Sequence, residues 1–89
     1  MQLEKISGVI IRASNLKHNS AIVIDFDLKE NNNNNTNFWS VSISKPYLID
    51  FYIKNKNKLN IGTKIIIKGR AVRLSKKYNY IQADKLIIR

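Results

Sequence analysis

The sequence predicts an all-β fold, a five-stranded barrel with one short helix between the third and fourth strands. Two segments alternate apolar and polar residues with period two, and two further segments are rich in β-branched residues around glycines. One intervening segment switches to helical spacing. A chain of 89 residues cannot supply two cores of useful size, so we expect residues 1–89 to form a single domain.

The first two strands are predicted from the N-terminal segments. Residues 6–12 are β-branched and contain Gly8, which we expect to mark a bulge or bend. The next segment alternates strictly, which is typical of a half-buried strand. Its apolar face comprises Ile22, Ile24, Phe26 and Leu28, and its polar face comprises Asp25, Asp27 and Lys29.

An asparagine run separates the second strand from the third. Asparagine favours turns and disfavours strand interiors, so residues 31–37 are predicted to form a flexible hairpin loop. Residues 38–44 then alternate again and predict the third strand, which Pro46 ends.

The remaining elements follow from a change of period after Pro46. Apolar residues at spacings of three and four predict a short amphipathic helix over residues 46–55. Residues 64–74 predict a fourth strand, bent at Gly69. A basic hairpin loop over residues 75–79 leads to a fifth strand over residues 80–88.

This order of elements is the arrangement of the OB-fold. An SH3-like barrel would lack the helix after the third strand. A ferredoxin-like fold would need a helix after the first strand, and residues 14–19 are too few to supply one.

The composition favours a polyanionic partner and argues against an enzyme. The formal net charge is +10, although Lys-rich and Asn-rich composition also accompanies AT-rich codon usage. The chain has no cysteine and one histidine, so we expect no metal site and no cofactor. Asp25 and Asp27 share a strand face, yet a solvated face explains them better than an acid–base pair.

No apolar run approaches the length of a membrane span, so we expect a cytoplasmic protein without a membrane partner.

Several segments resemble the bacterial single-stranded-DNA-binding proteins. Residues 62–69 carry a Gly-x-x-apolar-x-apolar-x-Gly pattern similar to the fourth strand of that family, and residues 81–86 resemble its closing strand. Trp39 lies where these proteins often carry a tryptophan. The sequence ends at Arg89, directly after the last predicted strand, and is basic there. That ending, together with Ser7-Gly8, Arg12 and Phe38-Trp39, resembles the tail-less primosomal replication protein N (PriB) type.

The resemblance implies a function as well as a fold. It implies binding of single-stranded DNA without sequence preference, in bacterial replication or replication restart. It also implies a homodimer and, as possible partners, a replication-restart helicase or other primosome proteins.

Candidate base-stacking residues lie on the third strand and in the second hairpin. Trp39 shares its strand face with Val41 and Ile43, which favours the core, whereas the resemblance favours exposure on the binding face. Phe38, on the opposite face, is the alternative stacking residue. Tyr78 stands beside a lysine pair in the loop between strands four and five, a combination suited to clamping a nucleic-acid backbone.

Candidate phosphate contacts are basic residues on or near the fourth strand. The basic residues of this strand alternate with Ile65 and Ile67 and form a stripe of Lys64, Lys68 and Arg70. We expect Arg12 and Arg73 to extend this stripe. Lys76 and Lys77 add two charges in the hairpin loop. The same stripe could instead protect a strand edge from aggregation. Two other functions remain open, an adaptor module that binds an acidic protein and a single-stranded RNA-binding module.

Overall fold

Five strands close into a barrel in the structure of the protein, a computed structural model that describes residues 2–18, 22–32, 35–75 and 78–89. The strand order around the barrel is β1-β2-β3-β5-β4, and β3 and β5 form the parallel pair. The predicted OB-type barrel, with its helix after the third strand, is confirmed. The elements are β1 (Gln2–His18), β2 (Ile22–Asn32), β3 (Asn35–Ile43), α1 (Pro46–Lys54), a 3-10 turn (Lys56–Lys58), β4 (Lys64–Arg73) and β5 (Asn79–Ile88).

The core follows from the period-two patterns of the strands. Ile24, Phe26 and Leu28 of β2 are fully buried, whereas the aspartates between them face outwards. Helix α1 adds Leu48 and Tyr52 to the core. The Tyr52 ring stacks on Phe26 with 5.9 Å between ring centroids, so the apolar face of the helix is packed onto the barrel interior.

Strand β1 is longer than the predicted residues 6–12 because it serves two neighbours. Its first half, from Gln2 to Val9, pairs with β4, and its second half, from Val9 to His18, pairs with β2. Register shifts lie between Ile10 and Arg12 and between Arg12 and Asn15. A bulged strand has no regular alternation over its full length, so the sequence pattern did not reveal it.

The asparagine-run loop predicted over residues 31–37 was too wide. The β2–β3 ladder continues through the pairs Glu30–Asn37, Asn31–Thr36 and Asn32–Asn35. Its register is set by buried pairs such as Phe26 with Val41, and backbone hydrogen bonding extends that register beyond the core. Ladder formation thus outweighs the weak strand propensity of asparagine.

The glycines have different roles from one another. Gly69 lies at the register shift of the β4–β5 ladder, and a Cβ atom there would lie 2.0 Å from the Gln82 carbonyl oxygen. This close approach accounts for the predicted bend. Gly8, by contrast, pairs with Ile65 without a register shift and leaves room for the Leu28 side chain, so the predicted bulge lies further along β1.

The described residues include neither a membrane-spanning helix nor a cluster of metal-ligating side chains. None of the helices in these ranges is long and apolar enough to cross a membrane. Within the same ranges, no group of three His, Asp or Glu side chains could hold a metal ion.

Candidate nucleic-acid interface

A concave cleft of about 260 Å³ opens on the outer face of β2 and β3 and extends to the start of β5. Two aromatic side chains in it are accessible, with Phe38 38% exposed and Tyr78 71% exposed. We call this site the stacking cleft. Its lining residues are Ile11, Asp27, Phe38, Trp39, Ser40 and Tyr78.

The β4–β5 hairpin holds Tyr78 in place through its backbone. The Tyr78 N–H donates to Ser75 Oγ at 2.9 Å, and the Tyr78 carbonyl accepts from the N–H groups of Leu74 and Ser75 at 3.2 and 2.9 Å. These three bonds fix the backbone on the β5 side of the turn while the Tyr78 ring remains exposed. Lys76 and Lys77, the predicted phosphate contacts in this hairpin, lie outside the described residues.

Asn79 links the two aromatic positions. Its side chain is 2% exposed, and its Nδ2 donates to the Phe38 carbonyl oxygen at 3.2 Å. Because Asn79 directly follows Tyr78, this bond ties the start of β5 to the backbone of Phe38. This part-buried hydrogen bond and the pairing of Asn79 with Trp39 hold the start of β5 close to Phe38.

Trp39 is part of the core, so the predicted role as a stacking platform does not fit its position. The side chain is 1% exposed, in keeping with the strand face that it shares with Val41 and Ile43. Its Nε1 donates to Glu30 Oε1 at 3.0 Å, and the Arg73 guanidinium lies 4.9 Å from its ring centroid. A base has no access to a ring that is packed in this way.

Arg12 is held by carboxylates of the same sheet face and does not extend a basic stripe. Its Nε donates to Asp27 Oδ2 at 2.8 Å, and a terminal guanidinium nitrogen lies 3.6 Å from Asp25 Oδ2. The hydrogen bond to Asp27 raises the pKa of Arg12. The one guanidinium offsets only part of the negative charge of Asp25 and Asp27, and Asp27 itself lines the stacking cleft.

Lys68 lies away from the stacking cleft, whereas Arg70, opposite Gln82, lies nearer to the start of β5. Lys68 has Lys5 of β1 and Lys85 of β5 directly opposite it on the neighbouring strands, and all three are exposed. We call these three residues the lysine row. Along β5, Lys85 lies six positions beyond Asn79, a distance of about 20 Å at 3.3 Å per residue. The predicted aromatic residues and Lys68 therefore lie at different positions along β5.

Solved structures that resemble this chain include single-stranded-DNA-binding proteins and a PriB domain. The small single-stranded-DNA-binding protein of Streptomyces coelicolor matches with a TM-score of 0.79 and 14% identity, over 99% of this chain and 92% of that one. The Plasmodium falciparum SSB in complex with ssDNA matches with a TM-score of 0.76 and 15% identity, over 100% and 95%. The dimeric N-terminal domain of PriB from Thermoanaerobacter tencongensis matches with a TM-score of 0.71 and 15% identity, over 98% and 94%.

The chain has the fold of the single-stranded-DNA-binding proteins. The similarity predicted from the sequence is confirmed at the level of the fold. No protein-family model matches the sequence, and a search of curated proteins found no relative.

The position of the stacking cleft agrees with the binding region of OB-folds in general. These folds bind oligonucleotides and oligosaccharides on the face of strands two and three, together with the loops after strands one and four. Phe38 lies on β3, and Tyr78 lies at the end of the loop that follows β4. Both aromatic residues thus occupy the part of the barrel that this fold uses for ligands.

Sequence reasoning missed three residues that the structure brings to these sites. Asn79 was assigned to a loop, and no local pattern distinguishes a buried asparagine from a turn asparagine. Lys5 and Lys85 lie far apart in sequence, and only the strand register brings them beside Lys68. The lysine row could have been predicted only from the correct register of β4 with both β1 and β5.

Proposed function

We propose that the protein binds single-stranded DNA with little sequence preference, through the stacking cleft. The observation that carries the proposal is the exposure of Phe38 and Tyr78 together in one cleft on the ligand-binding face of the barrel. Every base has a flat π-face, so stacking on an aromatic side chain tolerates any sequence and contributes about 1–3 kcal/mol per base. A duplex hides these faces within its own stack, so the cleft favours single strands.

Positive charge supplies the second component of binding. The net charge of +10 attracts a polyanion over the whole surface. Lys29 lies directly opposite Phe38 in the β2–β3 ladder, on the outer face beside the cleft. We propose that Lys76 and Lys77, in the same hairpin as Tyr78, contact phosphates next to the stacked bases.

The biological setting that fits this proposal is replication or replication restart in the bacterial cytoplasm, with the protein acting as a homodimer. The support is the similarity to the dimeric N-terminal domain of PriB, which extends over 98% of this chain. In such a role the protein would be a binding protein and not an enzyme, and its partners would include a replication-restart helicase or other primosome proteins.

The test is a fluorescence anisotropy titration of labelled oligo-dT across a salt series, with duplex DNA of equal length as the control. We expect tighter binding to the single strand, weakening with salt because each phosphate contact releases about 0.7 counterion on a single strand. Equal affinity for the two forms would contradict the proposal. A matched RNA oligonucleotide in competition distinguishes DNA from RNA as the preferred ligand.

A further inference from the structure

We infer that the lysine row forms a second phosphate-binding groove, which guides the same single strand along the barrel away from the stacking cleft. The inference rests on the proposed function and adds Lys5, Lys68 and Lys85 as a distinct contact region. It predicts a bound strand longer than the stacking cleft alone can hold.

The first observation is the concentration of unpaired positive charge. Lys5, Lys68 and Lys85 lie side by side on three neighbouring strands, where directly opposite side chains have Cβ atoms about 4.5–5.5 Å apart. Within the part of the chain that the structure describes, none of the three forms an ion pair. Like charges directly opposite one another destabilise a sheet, and a bound polyanion would remove that repulsion.

The second observation is that the row lies in a concave surface. A groove of about 570 Å³ is lined by all three lysines together with Leu3 and Tyr47. The shape lets several cations approach one chain of phosphates from more than one side, which a flat stripe does not.

The acidic residues of the groove are already neutralised by other cations. Glu4 accepts from Arg73 at 2.6 Å, and Asp84 forms an ion pair with Lys45. The hydrogen bond to Asp84 raises the pKa of Lys45, so this pair persists at neutral pH. The charge left for a ligand in the groove is therefore that of the lysine row.

Tyr47 adds an aromatic face to the same groove. Its hydroxyl donates to the Asp84 carbonyl oxygen at 2.5 Å, which fixes the start of α1 against β5. The side chain is nevertheless 59% exposed. The groove thus combines cations with an accessible ring, the two components that single-stranded nucleic acid requires.

Charge decides against a second copy of the chain as the occupant. Two copies packed through this face would bring six lysines together in the interface, at a high electrostatic cost. A nucleic-acid strand has the complementary charge. It is also long enough, because one OB-fold covers up to about 16 nucleotides, and the groove lies only about 20 Å along β5 from the stacking cleft.

The experiment compares the triple variant Lys5→Gln, Lys68→Gln, Lys85→Gln with the control Lys54→Gln, Lys56→Gln, Lys58→Gln. The two variants lose the same net charge, and the control residues lie on α1 and the 3-10 turn, outside the groove. Binding to oligo-dT of about 16 and about 5 nucleotides is measured across a salt series. We also measure the melting temperature of each free protein at low salt.

For the lysine-row variant and the long oligonucleotide, we expect the slope of log K against log salt to become shallower by about 2, from three contacts at about 0.7 each. The short oligonucleotide, held at the stacking cleft, should show a much smaller change. The melting temperature of the free variant should rise, because the repulsion within the row is gone. The control should keep a slope closer to that of the wild type.

Two outcomes would overturn the inference separately from the proposed function. A wild-type slope in the lysine-row variant, with single-strand preference intact, would refute the groove alone. Equal losses in the two triple variants would show that only net charge matters, and would also refute it. If the wild-type protein itself shows no preference for single strands, the proposed function fails and the groove fails with it.

Discussion

The proposed interface depends on which aromatic side chains are accessible to solvent. Two aromatic residues that are adjacent in the sequence differ in this respect. Phe38 and Trp39 are adjacent in sequence, yet the pleat of β3 directs one outwards and the other into the core. The exposed fraction is 38% for Phe38 and 1% for Trp39. Aromatic content alone therefore does not locate the stacking residues, because strand face decides accessibility.

Trp39 is the only tryptophan, so its fluorescence reports directly on this assignment. We expect weak collisional quenching by iodide, since the ring is buried and one face is covered by Arg73. Saturation with oligo-dT should cause little further quenching because no base stacks on the ring. Strong quenching by both agents would show that Trp39 is accessible and is itself a stacking residue.

Asp27 lies in the stacking cleft and holds Arg12, so its charge should oppose DNA binding. We expect Asp27→Asn to tighten binding to oligo-dT, because the substitution removes a carboxylate beside the bases and releases the Arg12 guanidinium. Asp50→Asn is the matched control, since Asp50 pairs with Lys54 on the exposed helix surface. Anisotropy titrations at low salt measure both variants.

Equal increases in DNA affinity for Asp27→Asn and Asp50→Asn would show that only the net charge of the protein matters.

The ion pairs of Arg12 should themselves be insensitive to pH near neutrality. The hydrogen bond to Asp27 raises the folded-state pKa of Arg12, so the contribution of Arg12 to stability is complete at neutral pH and is lost only as the pH rises through that raised pKa.

At the scale of the elements, the β4–β5 hairpin connects stability with the site. Gly69 allows the β4 backbone to approach β5 so closely that an added Cβ would lie 2.0 Å from the Gln82 carbonyl oxygen. This close approach occurs at the register shift between Lys68 and Gly69. From there the β4–β5 pairing continues to Asn79, which directly follows Tyr78.

Gly69→Ala should lower the free energy of unfolding by about 1–3 kcal/mol or more, because the new methyl group must displace backbone atoms. Chemical denaturation monitored by circular dichroism measures the change. Gly62→Ala is an informative comparison, since nothing lies within 4 Å of a Cβ there and its φ of +94° is the only source of strain. A neutral result for Gly69→Ala would mean that the two strands can separate at the register shift without cost.

The sequence was sufficient for those elements whose pattern is local. Period-two alternation identified β2 and β3, and the switch to helical spacing identified α1 within one residue of its end. Strand β1 and the asparagine-run ladder were underestimated because their extent depends on pairing with distant strands. The propensity of a segment to form a strand does not show which residues of the neighbouring strands lie opposite it. The lysine row was missed for the same reason, because it exists only through the pairing of three strands.

The candidate site was predictable only in part for the same reason. Phe38 and Tyr78 were expected as stacking residues, and the structure brings them to one cleft. Lys68 was predicted to act with them and with Arg70, but the β4–β5 register places Lys68 opposite Lys85, about 20 Å along β5 from Asn79. Arg12 was expected to be free, whereas pairing of β1 with β2 sets it opposite Asp27.

At the scale of the whole molecule, the barrel presents two different surfaces to a polyanion. The stacking cleft offers aromatic faces, and the lysine row offers charge about 20 Å away along β5. The fold is shared with proteins of 10–15% identity. Since fold alone does not establish function, the claim of DNA binding depends on these surfaces and must be tested there.

The measurement that tests this claim most directly is the affinity of the double variant Phe38→Ala, Tyr78→Ala for oligo-dT, with Ile53→Ala, Ile61→Ala as the control. The control removes two exposed apolar side chains outside the cleft. Loss of two stacked bases at about 1–3 kcal/mol each predicts an affinity at least about 30-fold weaker for the cleft variant. The control should bind like the wild type. Unchanged affinity of a folded cleft variant would contradict base stacking at Phe38 and Tyr78, and with it the proposed interface.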